Sequence, residues 1–240
     1  MPGDFDALII QADFDRLALL SRDGWDHNSH YGNFLLKHIP KNCESALEIG
    51  CGTGAFARLM AKRAGRVLAL DLSPRMIQIA RERSREFANI DFRVANVLEW
   101  KFPTEQFDCV ASIATLHHLP MEEMLTKMKS ALKANGTLLV LDLFEREGLP
   151  DVLRSTLAVL VSTILKLIKT GRVRPSRAER EAWAEHCQRD VYLNLSQVRK
   201  ICADVLPGAQ VRKHLLWRYS IIWKKAAKSP GRLSFPNRRW

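Results

Sequence analysis

The chain has 240 residues, of which 47% are apolar and 26% charged. This length and apolar content suffice to bury a sizeable core, and they fit one domain with embellishments better than two full domains. The opening residues lack a basic stretch followed by an apolar one, so no secretory route is expected and a cytoplasmic address is. The five cysteines, an odd number without a CxxC pair, argue against a disulfide framework or a zinc knuckle, and no metal ligand set is expected.

Charge is distributed unevenly. Residues 1–150 carry 18 basic and 20 acidic side chains, whereas residues 151–240 carry 19 and 6. A C-terminal excess of this kind points to an acidic partner: an anionic substrate, an anionic lipid surface or nucleic acid. A solvated basic face without a specific partner accounts for it equally well.

From Ala46 onward, short β-rich runs alternate with helical patterns. The spacing predicts strands over Ala46–Ile49, Val67–Leu70, Ile90–Val94, Phe107–Ile113 and Thr137–Leu143. It predicts helices over Ala55–Ala64, Pro74–Phe87 and Met121–Ala134, with Ser73-Pro74 supplying an N-cap and a proline at the first helical position. Such a βαβ series implies a parallel sheet covered on both faces. After Asp142 a long apolar helix is expected over Asp151–Thr170, then a basic stretch over Lys169–Arg180 and another helix near Glu179–His186. This reads as an insertion. A helix over Leu195–Leu206 leads through Pro207-Gly208 to β-like runs Ala209–Leu215 and Tyr219–Lys224, which can close the sheet as a hairpin. Residues 226–240, rich in Pro, Gly, Ser and Arg, have no apolar periodicity and are expected to form a flexible basic tail.

The run Leu47-Glu48-Ile49-Gly50-Cys51-Gly52-Thr53-Gly54 ends a strand and opens a helix, where missing side chains let the backbone turn and approach a ligand. Alone it is ambiguous, because Gly50, Gly52 and Ala55 also fit the dinucleotide spacing G-x-G-x-x-G/A. Asp71, ending the second strand, is placed to accept hydrogen bonds from two ribose hydroxyls, which suits either cofactor class.

The ordered set ExGCGTG, LDLSP, VANV and FDCVASIATLHHL resembles the class I S-adenosylmethionine-dependent methyltransferases, especially small-molecule enzymes of the type 11 kind. The resemblance is good over Tyr31–Asp142 and looser over the closing strands. It implies an α/β Rossmann-like fold: a mostly parallel seven-stranded sheet with helices on both faces, a C-terminal antiparallel strand and a helical lid insertion. Residues 1–225 would form the methyltransferase domain, with N-terminal lid helices in 1–40 and the insertion in 145–190.

Position by position, the resemblance implies that Gly50, Cys51, Gly52 and Gly54 line the methionine and ribose portions of S-adenosylmethionine, with Glu48 ordering the ammonium side. Asp71 would bind the ribose hydroxyls, Leu72 and Met76 would pack on the adenine, Asn96 and Val97 would face its edge, and Ile113 would join the wall. An aspartate is commoner at the place of Asn96, so a charge-assisted bond becomes a neutral one. His117 and His118, just past the fourth strand, are the candidate proton-transfer groups for an acceptor that must be deprotonated. Trp25, His27, Asn28, His30 and Tyr31 resemble an N-terminal lid segment, with Tyr31 the favoured ligand contact. Trp183, His186 and Asp190 are further candidates for the acceptor pocket.

The implied reaction is methyl transfer to a small-molecule acceptor, apolar or anionic. A nucleic-acid methyltransferase is disfavoured, because the place of an N/D-P-P-Y/F motif reads Ser112-Ile113-Ala114-Thr115. A nicotinamide oxidoreductase and a non-catalytic S-adenosylmethionine-binding module stand as rival readings. The Asp151–Thr170 helix is expected to form a lid over an apolar acceptor, with Leu160 and Ile164 among its pocket-facing residues. Its uncharged stretch of eleven residues, Ser155–Leu165, is well short of the roughly 18–20 needed to cross a bilayer.

Overall fold

A computed structural model describes residues 7–20, 24–171, 176–188 and 190–227. The basic tail from residue 228, and residues 172–175 of the predicted basic stretch, lie outside these.

Seven strands, β1 (Cys43–Ile49), β2 (Ala64–Asp71), β3 (Ile90–Val94), β4 (Phe107–Ile113), β5 (Leu132–Leu143), β6 (Gln210–Lys213) and β7 (Arg218–Lys224), form one sheet in the order β3-β2-β1-β4-β5-β7-β6. The pairs among β1–β5 are parallel, and β7 runs antiparallel to both β5 and β6. The strand order reverses between β1 and β4, so the crevice that binds ligands in open α/β sheets opens at the carboxyl ends of these strands.

Helices cover both faces. One core layer packs the sheet against α6 (Met121–Ala131) and α9 (Leu195–Val205), using Met124, Leu125, Met128, Val198 and Cys202. The opposite layer uses Leu35 of α3 (Gly32–Leu36), Phe56 and Met60 of α4 (Ala55–Ala61), and Ile77 of α5 (Pro74–Arg83). Burial on both faces is why the central strands β1, β4 and β5 read as apolar runs rather than alternating ones. The N-terminal cap comprises α1 (Ala7–Leu20) and α2 (His27–His30), and the insertion comprises α7 (Gly148–Thr170) and α8 (Arg177–Cys187). A small separate cluster of Leu17 and Ala18 on α1, Met76 on α5 and Ala182 on α8 joins cap to insertion.

Several boundaries differ from those predicted, for local reasons. β2 starts at Ala64 rather than Val67, and α4 therefore ends at Ala61; Gly65, unfavourable by propensity, is accepted where a Cβ would stand 3.0 Å from the Glu44 carbonyl oxygen. β5 starts at Leu132, but its register with β4 shifts between Phe107 and Cys109, and Asn135 adopts φ 65°. That irregularity hid the first residues of the strand. α7 starts at Gly148, ahead of the predicted Asp151, because Pro150 falls in the first turn, where a missing N–H costs no helical bond. The hairpin strands shorten to β6 and β7 around a tight connection in which His214 N–H donates to the Arg218 carbonyl and Trp217 has φ 54°.

Candidate active site

The carboxyl ends of β1–β5 open into a cavity of about 990 Å³. Its floor includes Glu48, Gly50, Gly52, Asp71, Asn96 and Thr115; the N-terminal cap and the insertion supply the roof.

The glycines of the β1–α4 turn have three distinct reasons to be glycine. All three have positive φ: 70° at Gly50, 51° at Gly52 and 75° at Gly54. A Cβ on Gly50 would collide with the Thr115 side chain, and one on Gly54 would stand 2.9 Å from the Phe92 ring, between helix and sheet. At Gly52 a Cβ would meet nothing within 4 Å. Gly52 thus opens to the cavity, while Gly54 faces the core and is absent from the cavity wall.

Asp71, at the end of β2, accepts from Gly52 N–H at 2.7 Å through Oδ2 and from Ser73 N–H at 2.9 Å through Oδ1. Burial raises its carboxyl to about 6, against the lowering effect of these backbone donors. Ser73 caps α5 by accepting from Met76 N–H at 3.0 Å, and its own hydroxyl donates to Asp15 of α1 at 2.5 Å. The cap is thereby fastened beside Leu72 and Met76, which line the cavity. Glu48 is 1% exposed, and its Oε2 has no hydrogen-bond partner. Burial, reinforced by Asp71, holds its carboxyl well above the usual range.

Asn96 and Val97 line the cavity. The Asn96 amide oxygen accepts from Leu98 N–H at 3.1 Å, and its amide donates to Glu99 at 2.9 Å. After β4, Ala114 has φ 50°, a strained conformation for a residue with a side chain, at the point where the chain turns across the cavity.

That turn, a short 3₁₀ segment over Leu116–His118, carries both histidines. His117 is fixed by Asp142 of β5: backbone N–H to Oδ2 at 3.0 Å, and Nδ1 to Oδ1 at 2.6 Å. His118 stacks beside it, with ring centroids 3.9 Å apart, and Phe14 of α1 meets its edge at 5.5 Å. Burial, with His117 and His186 alongside, pushes His118 down to about 2, so this ring is neutral at physiological pH. His186, Cys187 and Asp190 of the insertion complete this end of the cavity with Trp183 and Tyr192.

Tyr31 is placed differently from its expected role. It does not line the cavity; its ring packs against His30 and His214, and its hydroxyl accepts from Leu216 N–H at 3.1 Å. The cavity contacts of that segment come instead from Asp26, His27, Asn28 and Ser29. His27 meets Ser162 of α7 at 2.7 Å, and Asn28 accepts from the buried Arg218 at 2.7 Å. Leu160 and Ile164 also lie elsewhere, 58% and 48% exposed on the outer face of α7. The helical period turns Ala158 and Ser162 inward, and Lys166 reaches the cavity. Asp15 and Asp142 were not foreseen, because only the folded chain brings them to Ser73 and His117.

A family profile described as "Methyltransferase domain" matches residues 46–136. The demethylmenaquinone methyltransferase of Tropheryma whipplei (strain Twist) is 33% identical over 129 residues, covering 53% of this chain and 54% of that protein. The match thus spans about half of that relative's length. An uncharacterised methyltransferase of Mycobacterium bovis is 28% identical over 203 residues, 83% of this chain and 96% of the relative. Among solved structures, phosphoethanolamine N-methyltransferase 2 of Haemonchus contortus, in complex with phosphomonomethylethanolamine and S-adenosylhomocysteine, superposes with a TM-score of 0.63 at 18% identity, over 93% of this chain and 59% of that one.

Residues 46–136 match that methyltransferase-domain profile, and the fold is the Rossmann-like fold of S-adenosylmethionine-dependent methyltransferases. The cavity's own chemistry fits that cofactor. The unsatisfied Glu48 oxygen suits an ammonium group or a water bound to one, the open backbone at Gly52 admits close approach, and the buried Asp71 suits ribose hydroxyls.

Proposed function

We propose that this protein is a cytoplasmic methyltransferase acting on a small, mainly apolar acceptor held between the insertion and the His117–His118 turn. One observation carries the reading: beyond the strand-end residues, the same cavity is also lined by the aromatic and apolar side chains Phe14, Leu119, Trp183 and Tyr192 together with His117 and His118. At about 990 Å³ the whole cavity lies at the upper end of the ordinary range for ligand sites, which favours two ligands side by side. The demethylmenaquinone methyltransferase among its relatives supports an apolar, ring-bearing acceptor.

S-adenosylmethionine supplies a methyl group already activated as a sulfonium. Glu48, Gly50, Cys51, Gly52, Asp71, Leu72, Met76, Asn96, Val97 and Ile113 would hold it along the strand ends. The remaining work of the protein is alignment of the acceptor and exclusion of water. Asp142 occupies Nδ1 of His117, which leaves Nε2 to take a proton from an acceptor hydroxyl.

The outer face of α7 supports delivery of such an acceptor from an anionic lipid surface. Leu157, Leu160, Ile164, Leu167 and Ile168 are all about half exposed or more, and the same helix carries Arg154 and Lys169 with no acidic residue after Asp151. No helix among the described residues is long and apolar enough to cross a membrane.

The test is formation of S-adenosylhomocysteine by the purified chain with a panel of hydroxylated aromatic acceptors of graded apolarity. Turnover that rises with acceptor apolarity supports the reading. Turnover confined to polar or nucleic-acid acceptors would overturn it.

A further inference from the structure

His117 and His118 follow β4, and Asp190 follows α8, 72 residues further along the chain than His118. In the folded protein, one donor atom from each lies within 4.8 Å of the other two. His118 Nδ1 is 3.3 Å from Asp190 Oδ1, and His186 Nε2 is 3.8 Å from the same oxygen. The side chains are nearly buried, at 7%, 8% and 4% exposure, yet all three line the cavity. They are shielded from bulk water without being sealed from a ligand.

The groups behind them deepen the pattern. Asp142 holds Nδ1 of His117 at 2.6 Å, leaving Nε2 as the nitrogen without a carboxylate partner. The Tyr192 hydroxyl donates to Asp190 Oδ2 at 2.5 Å, leaving Oδ1 turned toward His118 and His186. A histidine oriented through its second nitrogen by a carboxylate, and a carboxylate oriented by an outer hydroxyl, are how proteins fix metal ligands. For an ordinary hydrogen-bonded network, a single layer of partners would serve.

We propose that His117, His118 and Asp190 bind a divalent first-row transition-metal ion at the acceptor end of the cavity. Two imidazoles select zinc, iron, cobalt or nickel over magnesium and calcium, which prefer all-oxygen sites. Three protein ligands leave a coordination position, and the cavity supplies the direction from which an acceptor oxygen fills it. With the ion bound, Nε2 of His117 would serve as a ligand instead of taking the acceptor's proton, and the ion would orient the acceptor oxygen and favour its ionised form, the proton leaving to solvent. His186, 3.8 Å from the shared Asp190 oxygen, stands next to the set as a further ligand or an outer partner. The role in orienting an acceptor rests on the methyltransferase reading above; binding of the ion does not.

The experiment titrates the chelator-treated full chain with zinc chloride by calorimetry, follows cobalt(II) by visible absorption, and uses magnesium chloride as a control. The same samples are titrated with S-adenosylmethionine. One equivalent of zinc at micromolar or tighter affinity, visible ligand-field bands with cobalt and no response to magnesium are expected. His118→Gln and the isosteric Asp190→Asn should each weaken zinc binding at least about thirtyfold, and Tyr192→Phe about tenfold. Circular dichroism confirms that the variants are folded, and Tyr192→Phe retains a test at the outer layer if a ligand variant is not. Absence of stoichiometric zinc in the wild type, or equal uptake by the variants, overturns the proposal. Zinc failure with intact S-adenosylmethionine binding removes this site alone, whereas loss of cofactor binding removes the methyltransferase reading whatever the metal does.

Discussion

Asp142 grips His117 twice, accepting from its backbone N–H at 3.0 Å and meeting its imidazole Nδ1 at 2.6 Å, while itself fully buried in β5. The grip fixes both the position of the ring and the identity of its available nitrogen. Asp142→Asn keeps the volume but offers one acceptor oxygen where the carboxylate offered two. Its kcat is expected to fall about a hundredfold, with the dissociation constant for S-adenosylmethionine within about threefold of wild type. Steady-state kinetics beside calorimetry check this; a parallel loss of cofactor affinity would mean that Asp142 merely supports the fold.

Removal of Asp71 acts at the other end of the cavity. Asp71→Ala is expected to cost roughly 1.5–3 kcal/mol of cofactor binding if two charge-assisted ribose bonds are lost. Calorimetry on a folded variant measures it, and unchanged affinity would remove Asp71 from the cofactor site.

The same carboxyl gives a pH dependence of definite sign. Its folded value of about 6 lies above that of a solvated aspartate, so the folded chain holds the extra proton between about 4 and 6. Stability due to this group therefore declines as pH rises through that interval, by about 3 kcal/mol in all, and is level above it. Cofactor binding runs the other way, because ribose hydroxyls donate to the charged form. Affinity should weaken about tenfold between pH 7 and pH 5, with proton release on binding near pH 6. Urea midpoints across pH for wild type and Asp71→Asn, with calorimetry in buffers of differing ionisation enthalpy, read both trends. A flat affinity profile would contradict the ribose assignment.

Gly52 and Gly54 of the β1–α4 turn should respond differently to alanine. At Gly54 the new methyl meets the Phe92 ring at 2.9 Å and the backbone is left-handed, so a stability loss of about 2–4 kcal/mol is expected. At Gly52 only the backbone strain, about 1 kcal/mol, applies to the free protein, but the methyl enters the space reserved for cofactor. Thermal melts and cofactor titrations of Gly52→Ala and Gly54→Ala should separate the two effects, and identical profiles would refute this division.

For α7, Leu160→Asp and Ile164→Asp alter residues 58% and 48% exposed, so folding should be little affected. Sedimentation with vesicles containing anionic lipid is expected to fall about tenfold for the pair. Equal sedimentation, or none by the wild type, would leave α7 as a cover for the sheet.

Much of this architecture is legible in sequence because its signals are local. The Gly50–Gly54 turn, the acid ending β2 and the Ser73-Pro74 helix start each declare themselves within a few residues, and the apolar runs of β1, β4 and β5 reflect burial on both faces. The acceptor end is not local. Asp142 and Tyr192 reach the histidine turn from other stretches of chain, and nothing near His117 in sequence points to either, whereas Asp190 was expected at the acceptor end from the insertion's own titratable and aromatic residues. Tyr31 was misleading for a related reason: an aromatic residue beside a binding segment looks like a contact, but its hydroxyl is taken by the backbone before β7.

Met76 belongs at once to the cavity wall and to the small cluster in which Leu17 and Ala18 of α1 meet Ala182 of α8. An Arg16–Glu185 ion pair at 2.7 Å closes the same contact from outside. The two covers, one N-terminal and one inserted after β5, therefore meet at the surface proposed for the adenine. Any free energy by which bound cofactor tightens that contact must reappear, with equal magnitude, as tighter cofactor retention when the covers are shut. Such coupling would pass through four apolar side chains, Leu17, Ala18, Met76 and Ala182.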